Sequence, residues 1–415
     1  MTTANNLLPH LFRTEYTKMT AVLCRHFGLK HIEIAEDIAS ETFLKAFECW
    51  PTSGIPDNPT SWLYRVAKNK TLDYLRRNTL FEKEIRPQWQ AGQTTISPEI
   101  NLEFSPKTIA DSQLAMIFAV CQPHNSPEAQ VCLALQILCG FSVEEIASAF
   151  LAKAETIKKR LYRARNNLRN QAFELETLSE KEILERLNTV LQTLYLFFNE
   201  GYFSQTNQQQ TRQDLCAEAV RLMLILVENP LTNTPETNAL LSLMCYQSSR
   251  LAARTDEAGQ AILFEQQDQT LWDKTLIDKG NYYLVKAFSQ LQPPPSRYHL
   301  QASIAYWHAA PPCPDKWPYI LQLYDQLTQI ESSSIMVLSR LFAVSKVHGA
   351  AQAIAETQVL AWHENVNYEA LLGYLYGQTD ASETAIAHYQ KAITLSQSSG
   401  EKQMFAKHIA ALRKG

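Results

Sequence analysis

The sequence predicts an all-α protein built from successive helical blocks. Glycine is scarce, at 12 of 415 residues, while Leu, Ala, Gln and Glu are plentiful, and this composition favours helix. No run of alternating β-branched residues stands out, whereas apolar residues recur at helical spacing in block after block. The length fits two to four domains.

Composition and termini favour a cytoplasmic protein. No stretch approaches the roughly 20 uninterrupted apolar residues of a membrane span, and residues 1–6 lack the basic-then-apolar pattern of a signal peptide. The eight cysteines are scattered with no C-x-x-C pair, which favours reduced core thiols over disulfides or a zinc site. We therefore expect no metal and no cofactor.

Basic residues are concentrated in two short stretches, although the net charge is −4. Local basic stripes in a nearly neutral chain indicate a polyanion bound at defined places. The first stretch has one acidic residue, Asp73, and the second has Glu155. The basic members are Arg65, Lys68, Lys70, Arg76 and Arg77, and then Lys153, Lys158, Lys159, Arg160, Arg163, Arg165 and Arg169.

Four segments follow from the helical pattern and its interruptions. Residues 5–80 are predicted as consecutive helices, and residues 81–110 as a flexible linker, because Pro87, Pro98 and Pro106 interrupt them without a sustained period. Residues 111–172 form a second helical block, and residues 178–415 a third and much larger one.

Residues 35–50 predict an amphipathic helix in the first block. A buried face is predicted for Ala39, Phe43, Ala46, Phe47 and Trp50. The outward residues are Asp37, Glu41, Lys45 and Glu48. Spacing alone favours a solvated face with a Glu41–Lys45 pair, and the alternative is an acidic surface for a basic partner.

The next helix is predicted to open at residues 59–64, with Thr60 or Ser61 as its N-cap. Arg65, Lys68, Asn69, Leu72 and Arg76 share one face, and Trp62 lies near the start. Cations beside a large aromatic suit single-stranded nucleic acid, because the ring stacks on an unpaired base. A basic solvated face with Trp62 in the core is the equal alternative.

Residues 141–169 have the pattern of a helix-turn-helix. Ser142 and Glu145 form a predicted capping box, and a second helix begins near Glu155. Its predicted buried stripe is Ile157, Leu161, Ala164 and Leu168, and its open side presents Lys158, Lys159, Tyr162, Arg163 and Asn166. Long polar side chains on an open helix suit a DNA major groove. The turn, residues 151–154, lacks the usual glycine.

One tetratricopeptide-like unit is visible near the C-terminus. Small residues let two helices approach, and aromatics fill the space between them. The matching residues are Leu372, Gly373, Tyr376, Ala385, Tyr389 and Ala392. Glu369 stands where the pattern prefers Trp, and Gln397 where it prefers Pro. A weaker unit comprises Phe342, Ala343, Ala355 and Val359.

Taken together, these motifs resemble the sigma-70 superfamily, specifically the two-domain extracytoplasmic-function (ECF) group of bacterial RNA polymerase sigma factors. Residues 35–48 look like region 2.2. Residues 59–63, with Asn69, Asp73, Arg76 and Arg77, look like regions 2.3 and 2.4. Residues 144–147, 156–158 and 160–165 look like region 4. Residues 128–131, 147–151, 195–202, 268–273 and 302–309 are similar to an ECF subgroup with a C-terminal tetratricopeptide-like extension.

The resemblance implies two small helical sigma modules, a region 2 bundle and a region 4 helix-turn-helix, followed by a large regulatory helical domain. Core RNA polymerase would be the protein partner, through its β′ clamp helices and β flap, and promoter DNA the other. The implied polymerase contacts are Asp37, Glu41, Lys45 and Glu48. The implied −10 contacts are Trp62, Arg65, Lys68, Asn69, Arg76 and Arg77. The implied −35 contacts are Thr156, Lys158, Lys159, Tyr162, Arg163 and Asn166.

Two other functions compete with a sigma factor. An enzyme would draw acid/base groups from residues 199–201 or from Asp268 and Asp273, but the chain has no phosphate loop, H-E-x-x-H motif or nucleophile elbow, so we expect no catalysis. A one-component regulator with a sensing C-terminal domain explains the helix-turn-helix but leaves the first block without a role. The C-terminal domain is expected to bind a protein partner or sense a signal, and no membrane partner is expected.

Overall fold

The computed structural model describes residues 2–85, 102–170, 179–202, 209–255, 262, 264–289, 294–310, 315–360, 362 and 364–413. Within those residues the chain is helical and forms no β-strand, which confirms the predicted all-α class. Helices α1 to α18 are, in order, Thr2–Phe27, Ile32–Ser53, Pro59–Ile85, Pro106–Val120, Pro127–Leu133, Val143–Ala149, Ala154–Asn170, Glu180–Tyr202, Gln209–Glu228, Pro235–Ser248, Lys274–Ser289, Arg297–Ala309, Lys316–Ile330, Ser334–His348, Ala350–Thr357, Val366–Tyr376, Ser382–Leu395 and Ser399–Leu412.

Short helical segments of other types connect several of these helices. A π-helical turn, Ala134–Leu138, continues α5. The 3₁₀ turns are Leu29–His31, Leu251–Ala253, Phe264–Gln266 and Gln269–Leu271. None of the helices within the described ranges is both long and apolar enough to cross a membrane.

The chain divides into two compact units. The first comprises residues 1–206 and 221–232, and the second residues 207–220 and 233–415. In the first unit, α1 packs against α2 and α4, and α2 packs against α3. Phe12 of α1 lies between Tyr16 and Phe43, with ring centroids 4.6 and 5.1 Å away.

Helices α3 and α4 occupy the two ends of the predicted linker. The first unit also includes α8, which lies within the predicted third block. Helix α3 runs to Ile85, and α4 begins at Pro106, where Ser105 caps it by accepting the Thr108 N–H at 3.2 Å. Residues 86–101 of the predicted linker lie outside the described residues. Helix α8 packs against α4 and α5 in the first unit, and its Thr193 hydroxyl donates to Gln130 Oε1 at 2.5 Å.

Helical hairpins make up the second unit. In the α16–α17 hairpin, Gly373 lies beneath the Tyr389 ring, and a Cβ at this glycine would come within 2.9 Å of it. The α10–α11 hairpin repeats the arrangement with Gly280 and Tyr246, at 2.7 Å. The predicted small and aromatic packing residues Leu372, Ala385, Tyr389 and Ala392 are buried.

The weaker repeat is only partly realised. Ala343 is buried in α14, whereas Val359 follows the end of α15 and is 85% exposed. Six of the described cysteines are buried, as expected for core thiols; Cys313 lies outside the described residues. No cluster of metal-ligating side chains occurs among the residues that were described.

Candidate functional site

The outer face of α2 carries the predicted acidic surface. Asp37, Glu41, Lys45 and Glu48 are all exposed. Glu41 does not form the expected pair with Lys45, because the Lys70 ammonium of α3 lies 2.6 Å from its Oε2. The acidic face of α2 and the basic face of α3 are therefore joined at this pair.

Phe47 is exposed, so its predicted burial is wrong. Its side chain is 62% exposed, and that of Leu44 is 56% exposed. Relative to Ala39, Phe47 is displaced by about 80° around the helix, at the edge of the buried stripe. Helix α1 covers the centre of that stripe and leaves its edge open.

An open apolar groove of about 570 Å³ lies between α1 and α2 beside the acidic residues. Exposed apolar surface rimmed by charge is typical of protein interaction sites. Sequence periodicity missed this feature because it assigned Phe47 to the core. The groove is lined by Leu8, Pro9, Phe12, Ser40, Phe43, Leu44 and Phe47.

Helix α3 presents the first set of cations. Arg65, Lys68, Asn69, Arg76 and Arg77 are exposed, and Arg76 lies 3.6 Å from Asp73 in an exposed ion pair. Few protein contacts compete for the charged ends on this face, so they remain accessible to phosphates.

Trp62 is half-buried and lies edge-on to the buried Trp50, with ring centroids 5.5 Å apart. The ring therefore contacts the core and keeps part of its surface open to solvent. The predicted N-cap at Thr60 or Ser61 is wrong: α3 begins at Pro59, and the Asn58 side chain accepts the Ser61 N–H at 2.9 Å. Proline is favoured at the first helical position because it has no N–H to satisfy.

Helices α6 and α7 form the predicted two-helix motif. Ser142 and Glu145 make the capping box at the start of α6. In the turn that follows, Leu151 has φ +48°, so a leucine occupies the left-handed conformation that glycine usually takes, at a cost of about 1–2 kcal/mol. Leucine therefore takes the place of glycine in the turn, and the two-helix motif is still formed.

The exposed face of α7 carries the second predicted set of DNA-contacting residues. Ile157, Leu161, Ala164 and Leu168 are buried, as predicted. Thr156, Lys158, Lys159, Tyr162 and Arg163 are exposed, and Asn166 is half-buried. Asn166 Oδ1 accepts a hydrogen bond from Arg169, and Lys158 lies 3.1 Å from Glu155.

Three arginines of the second basic stretch point inward. Arg160 lies 3.7 Å from Cys132 Sγ, and Arg169 donates to Glu33 at 2.7 Å. Arg165 donates to both Glu36 oxygens, at 2.7 and 2.9 Å. Burial lowers the pKa of Arg165, but the hydrogen bonds and charge of Glu36 hold that pKa above its ordinary value.

Comparisons with known proteins identify the first unit's N-terminal helices. Residues 11–80 match the family model for sigma-70 region 2. Over 137 residues the chain is 28% identical to the ECF RNA polymerase sigma factor SigE of Mycolicibacterium smegmatis, covering 33% of this chain and 51% of that one. The chain belongs to the sigma-70 family. It is an ECF-like sigma factor with a large C-terminal extension.

Further matches place this sigma-factor chain among its relatives. It is 26% identical over 157 residues to the ECF RNA polymerase sigma factor SigW of Bacillus subtilis. The aligned region covers 35% of this chain and 80% of SigW. An uncharacterized protein, R00370 of Rhizobium meliloti, is 31% identical over 410 residues, covering 94% of this chain and 92% of that protein. No solved structure matches.

The extension and the helix-turn-helix differ in their matches. Residues 186–288 match a family of unknown function, DUF6596. This range begins in α8 and ends in α11. The two family models do not include α6 and α7. A sigma-factor role, with core polymerase and promoter DNA as partners, is thus supported through the N-terminal third of the chain.

Proposed function

We propose that this sigma factor docks on the β′ clamp helices and β flap of core polymerase, reads the −35 and −10 elements, melts the latter, and is regulated by its C-terminal unit. One observation carries the proposal: the predicted contact residues lie on three separate helix faces, and none of them is buried. A protein that binds polymerase and two DNA elements needs three such surfaces.

The face of α2 is suited to a basic, partly apolar partner. Three exposed carboxylates provide charge complementarity, which speeds encounter. The neighbouring apolar groove provides the desolvated contact that stabilises a complex once formed. Phe47 is its largest exposed ring and is the expected anchor.

The face of α3 is suited to a melted −10 strand. Arg65, Lys68, Arg76 and Arg77 neutralise phosphates, and the open part of the Trp62 ring is available to an unstacked base. Base stacking on an aromatic contributes about 1–3 kcal/mol per base. This offsets part of the few kcal/mol that unstacking and unpairing cost.

The exposed face of α7 is suited to the major groove of the −35 element. Its buried stripe packs against α5 and α6, so the recognition side chains project from a rigid support. Lys158, Lys159 and Arg163 are our choices for base contacts, because Lys and Arg donate well to guanine O6 and N7. Thr156, Tyr162 and Asn166 flank them.

The test of this function is run-off transcription by the full chain with purified core polymerase on fragmented genomic DNA. We expect discrete transcripts that require both proteins and no other specificity subunit. A one-component regulator cannot start transcription by itself, so absence of transcripts from every template contradicts the proposal. The full chain is used because cutting near residue 175 removes α8, whose Val190, Leu194 and Phe197 are fully buried.

Replacing Phe47 with serine should weaken the pull-down of core polymerase about 30-fold, a loss of about 2 kcal/mol typical of an aromatic anchor. Asp37→Ala and Glu41→Ala should weaken the same pull-down by smaller amounts that shrink as salt rises. The matched control is Leu184→Ser, because Leu184 of α8 is 54% exposed and outside the groove. Equal binding by the Phe47 variant and wild type would exclude the groove from the interface.

A further inference from the structure

Buried polar atoms without hydrogen-bond partners occur close together in the second unit. Trp272 Nε1, His308 Nδ1 and Gln267 Oε1 are buried, and none of them has a partner among the described residues. The rings of Trp272 and His308 both pack against Phe264, with centroids 5.9 and 4.8 Å from its own. Proteins leave few buried polar groups unpaired, and each such group indicates a water molecule or a ligand that completes it.

The backbone around Trp272 is held by ordered contacts. The Asp273 N–H donates to the Ser249 carbonyl at 2.9 Å, which fixes the residue beside Trp272 to the end of α10. Asp273 in turn caps α11 by accepting the Leu276 N–H at 3.1 Å, and Asp268 caps the 3₁₀ turn that follows it. The two carboxylates considered above as acid/base groups are therefore caps, and the Trp272 N–H still needs an acceptor.

Positive charge lies beside these unpaired atoms. The Arg250 guanidinium is 4.8 Å from the centre of the Phe264 ring and 5.8 Å from that of the Trp272 ring. Burial, with smaller contributions from the charges of Arg250 and Lys316, lowers the pKa of His308 to about 3. The imidazole is therefore neutral at physiological pH, and a cationic ligand beside it would be repelled.

The carboxylate of Glu265, on the same short segment, is already paired. Its Oε1 lies 2.8 Å from the Lys346 ammonium of α14. That ammonium also lies 5.0–5.7 Å from the centres of the aromatic rings of Trp317, Phe342 and Tyr374. The pair fastens the 3₁₀ turn that contains Glu265 to α14, and it neutralises this carboxylate with a partner of its own.

The unpaired atoms suit a ligand that accepts hydrogen bonds and carries negative charge. An indole N–H can only donate, and a neutral imidazole donates from Nδ1 when its other nitrogen is the acceptor. A carboxylate can accept from two donors, one on each oxygen. The surrounding side chains are aromatic, and small-molecule sites combine apolar walls with a few polar groups in fixed positions. An aromatic carboxylate combines both properties, whereas inorganic phosphate has no apolar part to place against the rings.

We propose that the second unit binds a small aromatic carboxylate, whose oxygens accept from Trp272 Nε1 and His308 Nδ1 while its ring packs on the neighbouring aromatic side chains. Both nitrogens are closed to solvent, so the 3₁₀ turn Phe264–Gln266 must move aside for the ligand to enter. The Glu265–Lys346 pair holds that turn in place and opposes entry. Binding at this site does not depend on the proposed sigma activity.

NMR of the full chain with isotope-labelled tryptophan side chains tests the site. The probe is sodium benzoate near neutral pH, and half-saturation at about 1 mM is expected of a ligand with so few atoms. The Trp272 indole signal, identified by its loss in Trp272→Phe, should shift and saturate. Trp50 Nε1 is also buried and unpartnered but belongs to the first unit. Its signal, identified through Trp50→Phe, is the internal control and should not move.

Calorimetry with benzoate measures the contribution of each donor. Trp272→Phe and His308→Phe each remove one donor but keep a ring, and each should weaken binding at least about tenfold. The matched control is Trp362→Phe, because Trp362 packs on Tyr368 instead and its replacement should leave the affinity unchanged. Glu265→Gln should strengthen binding, because less of the binding free energy is spent on opening the turn. Circular dichroism verifies that each variant keeps its helices.

Related compounds define the ligand class and the outcomes that overturn the site. Acetate, which lacks the ring, should bind at least about tenfold more weakly than benzoate. Benzylamine, with a similar ring and the opposite charge, and inorganic phosphate should leave the Trp272 signal in place. If either shifts that signal as strongly as benzoate does, the ligand class is wrong. If benzoate, phenylacetate and naphthoate all leave the wild-type signal unchanged, the site is overturned, and water completes the buried atoms.

Discussion

Replacing Arg163 with alanine should reduce transcription from a promoter recovered in the run-off experiment by about 5- to 150-fold. The expected loss follows from the about 1–3 kcal/mol by which a bidentate contact to guanine discriminates. Arg163 is exposed on α7, and substitutions at such positions usually change stability by less than about 0.5 kcal/mol. The change should therefore act on DNA recognition and leave the fold unchanged.

The measurement pairs run-off transcription with pull-down of core polymerase. Pull-down by the Arg163 variant should equal that of wild type, because the proposed polymerase face lies on α2. Lys181→Ala serves as the matched control: Lys181 is exposed on α8, and its loss should affect neither assay. An equal decrease in transcription and in polymerase binding would contradict the assignment of Arg163 to DNA.

Local sequence patterns predicted the helix-turn-helix closely. The capping box, the buried stripe of α7 and its exposed cations are all present, because each depends on residues within one or two helical turns. The turn also lies within this short segment, but the sequence did not predict that Leu151 adopts the left-handed conformation. Leucine rarely adopts that conformation, and the surrounding helices hold it there.

Contacts between distant segments could not be predicted in the same way. In the sequence the second basic stretch looked like a single stripe. In the structure, three of its arginines contact side chains elsewhere in the same chain. Arg165 and Glu36 are 129 positions apart, and periodicity cannot pair residues at that separation. Phe47 was misassigned for a related reason, since only the position of α1 decides whether the edge of α2 is covered.

The same limit applies to the third block. Sequence predicted one glycine-and-tyrosine hairpin through Gly373 and Tyr389, but the equivalent Gly280 and Tyr246 pair went unrecognised. Its two members occur in the reverse order along the chain, with tyrosine on the first helix. A repeat pattern that expects one order does not detect the other, although the packing is equivalent.

Glu369 shows why the tetratricopeptide-like pattern is broken at its tryptophan position. This carboxylate is fully buried in α16, and His388 Nδ1 of α17 lies 2.6 Å from its Oε2. Lys391 Nζ is 3.9 Å from the other oxygen, and the Tyr376 ring stacks on His388 with centroids 5.3 Å apart. A polar contact between the two helices therefore replaces the apolar packing of a tryptophan.

We expect His388→Leu to destabilise the α16–α17 hairpin by about 1–3 kcal/mol, because it removes the hydrogen bond that the buried Glu369 side chain makes to His388. The urea midpoint of the second unit should fall, and amide hydrogens of α16 and α17 should exchange faster. Circular dichroism and hydrogen exchange of the full chain measure the two effects.

The double variant Glu369→Leu with His388→Leu distinguishes a lost hydrogen-bond partner from lost volume. Replacing both members of a buried pair with apolar residues is often neutral or stabilising, so the double variant should recover most of the stability that the single variant loses. If both variants are equally destabilised, the stability of this hairpin depends on the packing around Tyr376 and not on the hydrogen bond. Lys391 is 58% exposed, so solvent screens its contact with Glu369 more than it screens the contact of the shielded histidine.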